Sequence, residues 1–434
     1  MKLLIVPKPV LSSDLAVMSY CFRYQRGDDY LADQYPARMF DGIVNLPCLT
    51  VLEEIGLDGF TNGFPLFVPL NQFTLLSDVT LQCTQPPDKI IFLLNEQTPP
   101  DQMFLDCIEK LKAAGFRFAV ERVKDYEAMR PIIEMCDFVF ISFKHNSKDV
   151  IANYRNTMRM FPKHTFVASD VNDISVFDRI RSGGFKFFEG RFYSVPVTRG
   201  HNTIAPVKVN RIQLINIVRE PDFAIEEVVK VVRQDPSLSI SLLKLVNSPY
   251  LGLSQKINSI QQAVALLGQT EVRKWVTTAT SGLLAEDKPD ELTRLSLFRA
   301  KFAENLARHF EMAIHAPGLF LMGLFSILDV VLEMPMNEAL KIISVSENIH
   351  EALVFGEGNY SNVLKFINAY EAADWSESNR LMALHDLNVE DVFTAYMDTV
   401  RWYASIASAT VNGDEEADKD KDNSKDKNRN KKKK

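Results

Sequence analysis

His385 and Asp386 stand side by side. A histidine beside a carboxylate is a pairing that can hold a divalent metal for hydrolysis. Such a centre needs further ligands, and the other histidines of the second half, His309, His315 and His350, fall at no companion spacing. His309 and His315 instead border the turn before Gly318, where a cation at a helix C-terminus meets the dipole favourably. Cys21, Cys48, Cys83, Cys107 and Cys136 are odd in number and contain no CxxC pair. Neither a zinc site nor a disulfide framework is expected, and a reducing cytoplasm is the simpler setting.

Two kinds of element must position whatever chemistry the chain has. Over residues 1–198, apolar runs alternate with helix-like stretches. Lys2–Val6, Leu66–Leu70, Lys89–Leu94, Phe116–Val120, Phe138–Phe143, Thr165–Ala168 and Phe185–Phe188 read as strands. Their apolar residues are nearly continuous, as in parallel strands buried on both faces. Asp101–Ala114 is the clearest helix, with Phe104, Cys107, Ile108 and Leu111 on one face and Gly115 as its stop; Asp125–Met135 and Asp173–Ser182 are weaker. The βα order implies a parallel sheet, and seven or eight units would fit a barrel.

Residues 199–209 hold Gly200 and Pro206 and little pattern, and read as a linker. From 210 to 410 amphipathic helices follow one another, among them Ala224–Gln234, Leu238–Val246, Leu292–His309 and Val389–Ala407. Phe366, Tyr370, Trp375, Tyr396, Trp402 and Tyr403 recur at a spacing that suits a core seam. Each half has its own apolar pattern and is expected to fold alone.

The chain has 434 residues and a net charge of −7, with 46% hydrophobic and 24% charged residues, which excludes disorder throughout. Residues 414–434 carry nine Lys/Arg and seven Asp/Glu, so the remainder carries −7 − 2 = −9. An acidic body has no general attraction for nucleic acid. The tail from 411 to 434 is expected to be disordered. No apolar run reaches the roughly 18–20 residues of a membrane helix, and the N-terminus is too short in its apolar part for a secretory signal.

The second half resembles an HDOD domain. The resemblance rests on Val231-Val232-Arg233-Gln234-Asp235-Pro236-Ser237-Leu238, on Leu242-Leu243-Lys244-Leu245-Val246-Asn247-Ser248, on Ile257 to Gly268 and on Gly323 to Asp329. The first half resembles an EAL domain, most clearly in Gly184-Phe185-Lys186-Phe187-Phe188-Glu189-Gly190-Arg191-Phe192-Tyr193-Ser194-Val195-Pro196. Together they resemble bacterial EAL–HDOD signal transduction proteins. The resemblance implies an EAL-like barrel of TIM type followed by an all-α HDOD domain. It also implies the cyclic di-GMP network, with motility and biofilm control as the setting.

EAL phosphodiesterases hydrolyse cyclic di-GMP with water activated by Mg²⁺ or Mn²⁺, held by side-chain oxygens at the strand ends. Placed one at a time, the family's ligand positions fall here on Ser19, Pro69, Leu93, Glu121-Arg122, Ser142 and Ser169, and its catalytic lysine on Phe140. A proline offers no side-chain oxygen and a leucine cannot bind Mg²⁺. A slip in register would recover Asn71 or Asp170 alone. HDOD domains are likewise expected to lack the metal site of their HD relatives. The resemblance therefore implies a non-enzyme, with no catalytic residue, metal or cofactor.

Arg23 falls on the family's phosphate-contacting arginine, and Lys8 and Arg122 could join it in presenting positive charge to a diphosphate. Glu189, where the family usually has Gln, opposes such binding. The expected protein acts through contacts with other signalling proteins, with a possible dimer. The alternatives are a cyclic di-GMP receptor with a dead site and an active phosphodiesterase. Asn247 and Tyr250, at the corner after Leu238–Val246, are the expected partner contact, since an aromatic beside a rigid turn loses little entropy on binding.

Overall fold

A computed structural model describes residues 3–26, 47–77, 79–144, 148–195, 222–232, 259–284, 290–343 and 345–405, with scattered positions between 214 and 257. Among these, eight strands close into a barrel in chain order. They are β1 (Leu3–Leu11), β2 (Val17–Arg26), β3 (Leu66–Pro69), β4 (Ile90–Asn95), β5 (Arg117–Glu121), β6 (Phe138–Ser142), β7 (Thr165–Ser169) and β8 (Phe187–Glu189). Seven of them match the expected apolar runs to within a few residues. The exception is β2, whose residues Ser19, Arg23 and Gln25 break the apolar continuity that marks the others.

β2 to β8 run parallel, whereas β1 is antiparallel to both of its neighbours. β1 pairs with β2 along its whole length but with β8 only at Val10 and Leu11. Over the rest of β1 no strand among the described residues lies against the edge facing β8. Ile5 turns both its N–H and its C=O toward that edge. With a period of two, Pro7 and Pro9 face the same way, and a missing N–H costs no ladder bond there.

The barrel is wrapped by helices that include Gln102–Ala113, Lys148–Met160 and Ile174–Ile180. The helical half contains Ile225–Val232, Ile260–Leu284, Asp290–Leu306, Ala316–Phe325, Met336–Ile343, Gly358–Ala372, Trp375–Leu384 and a last helix over 389–405. The stretch Ile260–Leu284 kinks at Gly268, which has φ 70°, and the sequence places a helix stop at that glycine. The expected linker and the charged tail lie outside the described residues, as do four of the nine residues of Leu238–Val246.

The two halves share apolar packing. One contiguous buried cluster joins barrel residues such as Leu3, Ile5 and Phe22 to Phe302, Phe366, Tyr370 and Val400 of the helices. The aromatic seam is real at Phe366, Tyr370 and Tyr396, which are buried, while Trp375, Trp402 and Tyr403 pack at its border. Tyr370 and Tyr396 lie with ring centroids 5.0 Å apart. Their seam backs onto the barrel and not only onto its own domain.

Candidate functional site at the barrel mouth

Side-chain alternation along the strands builds the site. Val10, Cys21, Phe67, Ile91, Leu93, Ala119, Phe140 and Val167 form a separate apolar cluster inside the barrel, with Phe187 packed on it. Two residues further toward the C-terminal mouth, the same faces carry Arg23, Pro69, Asn95, Glu121, Ser142, Ser169 and Glu189. On antiparallel β1 the corresponding residue is Lys8. An apolar plug therefore supports a polar layer at the end where barrels of this kind place their chemistry.

Charges in that layer pair off. Arg23 NH1 donates to both carboxylate oxygens of Glu121, at 2.8 and 2.7 Å. Its NH2 stands 3.7 Å from Glu189 Oε2. Lys8 Nζ stands 3.2 Å from Glu189 Oε1, close enough for an ion pair but out of hydrogen-bond alignment. Ser142 Oγ donates to Asp170 Oδ2 at 2.6 Å, and Asp170 N–H points at Glu189 Oε2 from 3.5 Å.

Glu189 is wholly buried. Burial alone would raise its pKa, but Lys8 and Arg23 outweigh burial and hold the carboxyl below its ordinary value. Arg23 loses hydration too, yet Cys21, Glu121 and Glu189 keep its guanidinium more firmly protonated than usual. Burial pushes the Cys21 thiol up to about 12, against the pull of Arg23, so it is no ready nucleophile.

Of the sequence-derived candidates, Arg23 and Lys8 meet in the mouth around Glu189. Arg122 does not join them. Its side chain is 71% exposed, turned out by a left-handed backbone at φ 57°, and its Nε lies 3.8 Å from Glu121. Asn247 and Tyr250 lie outside the described residues. Sequence reasoning treated Glu121 only as a lost ligand and Glu189 only as an unfavourable anion. Their role as partners of Arg23 and Lys8 depends on contacts between distant strands.

The residues present do not fit a divalent metal. Pro69 and Leu93 offer no side-chain donor atom, and Leu93 is part of the plug. Both oxygens of Glu121 are engaged by Arg23, and Glu189 is bracketed by two cations. Asn71, the residue a slip would recover, caps a short helix by accepting from Phe73 and Thr74 N–H. Among the described residues no group of three or more His, Cys, Asp or Glu side chains is arranged to hold a metal ion. In the helical half, the His385 ring packs on Phe310 with centroids 5.0 Å apart, and His309 faces Asp391 at 3.5 Å.

Beside the mouth, the unpaired edge of β1 is closed by the helical half. Ile5 N–H donates to the Tyr370 hydroxyl at 3.1 Å, and that hydroxyl donates to the Ile5 carbonyl at 3.0 Å. The Tyr20 hydroxyl donates to Glu291 at 2.7 Å, Glu291 pairs with Arg294, and Arg294 lies over the Tyr20 ring at 4.9 Å. Arg299 pairs with Glu371 at 2.8 Å. A cavity of about 50 Å³ sits at this seam and touches Lys8, Glu189, Arg191, Glu291, Arg294 and Glu371. Gly190 closes one side of it. A Cβ there would collide with the Val171 backbone, so the Glu189–Arg191 segment is held tightly.

Residues 204–348 match the family model of the HDOD domain. The chain is 28% identical over 327 residues to a protein of Vibrio cholerae named cyclic di-GMP phosphodiesterase CdgJ, covering 75% of this chain and 76% of that protein. It is 23% identical over 420 residues to the uncharacterised protein YuxH of Bacillus subtilis, covering 94% of this chain and all of that protein (100%). Among solved structures, an EAL domain protein from Listeria monocytogenes is similar at 13% identity and a TM-score of 0.37, over 44% of this chain and 87% of that one. BlrP1 of Klebsiella pneumoniae, in a calcium and cyclic di-GMP complex, is similar at 13% identity and a TM-score of 0.38, over 45% and 56%.

The architecture is thus a closed eight-stranded barrel followed by a helical region that contains the match to the HDOD model. One expectation is corrected. The missing ligand set implied a non-enzyme, whereas the relative that matches three quarters of the chain is named a phosphodiesterase. The inference from ligands had rested on one known arrangement of donors, and losing that arrangement does not by itself decide activity. No helix among the described residues is long and apolar enough to cross a membrane.

Proposed function

We propose that this chain is a cyclic di-GMP phosphodiesterase of the EAL–HDOD type, with the barrel mouth around Arg23, Lys8, Glu121 and Glu189 as its substrate site. The observation that carries hydrolysis is the similarity to the relative named for that activity, which covers three quarters of this chain. The geometry contributes a paired set of cations at the strand ends, where an anionic phosphodiester would arrive. The HDOD half then serves as the regulatory and partner-binding part.

The test is turnover. Purified full-length protein is incubated with cyclic di-GMP in Mg²⁺, in Mn²⁺ and in EDTA, and the linear dinucleotide is measured by chromatography. Product formation above a no-protein control, reduced tenfold or more by Lys8→Met, is the expected result. No product in any of the three buffers from a folded preparation would remove the reading of hydrolysis.

A further inference from the structure

We infer that Arg23 and Lys8 stand in for divalent ions at this mouth, so that the chain recognises the phosphodiesters of a cyclic dinucleotide without a metal. The inference rests on the proposed function, because that reading supplies the ligand. It departs from the metal-dependent pattern of the EAL resemblance, and the departure comes from what the strands present.

Three carboxylates, Glu121, Glu189 and Asp170, converge on the mouth. Each is already met by a donor or cation of this chain. Glu121 takes two hydrogen bonds from one guanidinium nitrogen. Glu189 lies between Lys8 at 3.2 Å and Arg23 at 3.7 Å. Asp170 accepts from Ser142 at 2.6 Å. A divalent ion would have to enter next to two fixed positive charges and take over carboxylates they hold. At such distances like charges repel strongly in a partly buried site.

Arg23 and Lys8 are built as fixed cations. Their side chains are 14% and 13% exposed, so neither swings freely in solvent. Glu121 buttresses Arg23 from one side. Guanidinium NH2 carries only the 3.7 Å contact to Glu189 among the described residues, which leaves it able to turn a donor to a phosphate oxygen. Glu189 opposes an incoming anion, and its carboxylate therefore sets how tightly the ligand is held.

The experiment is calorimetry of full-length protein with cyclic di-GMP, once in EDTA and once in Mn²⁺. The affinities are expected to agree within twofold. Lys8→Met is expected to weaken binding tenfold or more, and Glu189→Gln to tighten it severalfold. Arg23→Gln strands Glu121 in a buried place and endangers the fold, so the wild-type metal comparison and Lys8→Met decide the matter. Binding that appears only with Mn²⁺ would overturn the inference and leave the proposed function standing. Lys8→Met or Glu189→Gln binding as tightly as wild type would also overturn it. Absence of binding in both buffers, together with absence of turnover, would remove the functional reading and the inference with it.

Discussion

Glu189 shows how a single residue can set the character of the mouth. It is the most deeply buried charge there, and its ionised form depends on Lys8 and Arg23 outweighing the cost of burial. Its carboxyl titrates below the usual 4.5. A lowered folded-state pKa adds stability that is present above the unfolded value and disappears as pH falls through the folded one. The chain is therefore expected to lose stability through Glu189 as pH drops below 4.5. Glu189→Gln should flatten that acid limb in urea melts. At neutral pH the same change leaves Lys8 without its partner and should cost about 1–3 kcal/mol. An acid limb identical in the variant and wild type would show that the carboxylate is not held as described.

At the scale of elements, the informative piece is the half-open edge of β1. Sequence reading found β1 from its apolar start but not its direction, because an apolar run has no polarity that marks it antiparallel. It also passed over β2, since polar Ser19, Arg23 and Gln25 face inward there, the reverse of what a buried strand usually shows. The other strands were legible because both of their faces are apolar. The candidate cations were legible by type, whereas their partners were not. Arg23 meets Glu121 across 98 residues of chain, and Ile5 meets Tyr370 across 365. No local pattern encodes such pairs. Tyr370 takes the place of a neighbouring strand for Ile5 by accepting from its N–H and donating to its C=O. Tyr370→Phe keeps the ring and its packing but leaves both backbone groups buried without a partner. A loss of about 2–4 kcal/mol is expected, at roughly 1–2 per orphaned group, read from urea denaturation. A loss below about 0.5 kcal/mol would mean that water or another group serves that edge equally well.

For the whole molecule, the question is whether the halves are separate bodies. We propose boundaries at 1–198, 199–209 and 210–410, which follow the change of pattern in the sequence. The packing between the halves argues against the expected autonomy of the first. The helical half supplies the hydroxyl that satisfies Ile5, the carboxylate that accepts from Tyr20 and the guanidinium that reaches Pro7 O at 3.5 Å. It also covers apolar barrel residues that belong to one continuous cluster with its own. Cut free, a fragment of residues 1–198 would expose that apolar face together with the unpaired edge of β1, and open edges invite association. The fragment is therefore expected to aggregate or to bind a hydrophobic dye, and to melt without the cooperativity of the full chain. Residues 1–410 should behave as the full chain does, since the charged tail contains almost nothing apolar to bury. A monomeric 1–198 fragment with a sharp melt and no dye binding would restore the two-body picture. The seam beside Lys8 and Glu189 would then be a docking contact that can open, and not part of the barrel's own closure.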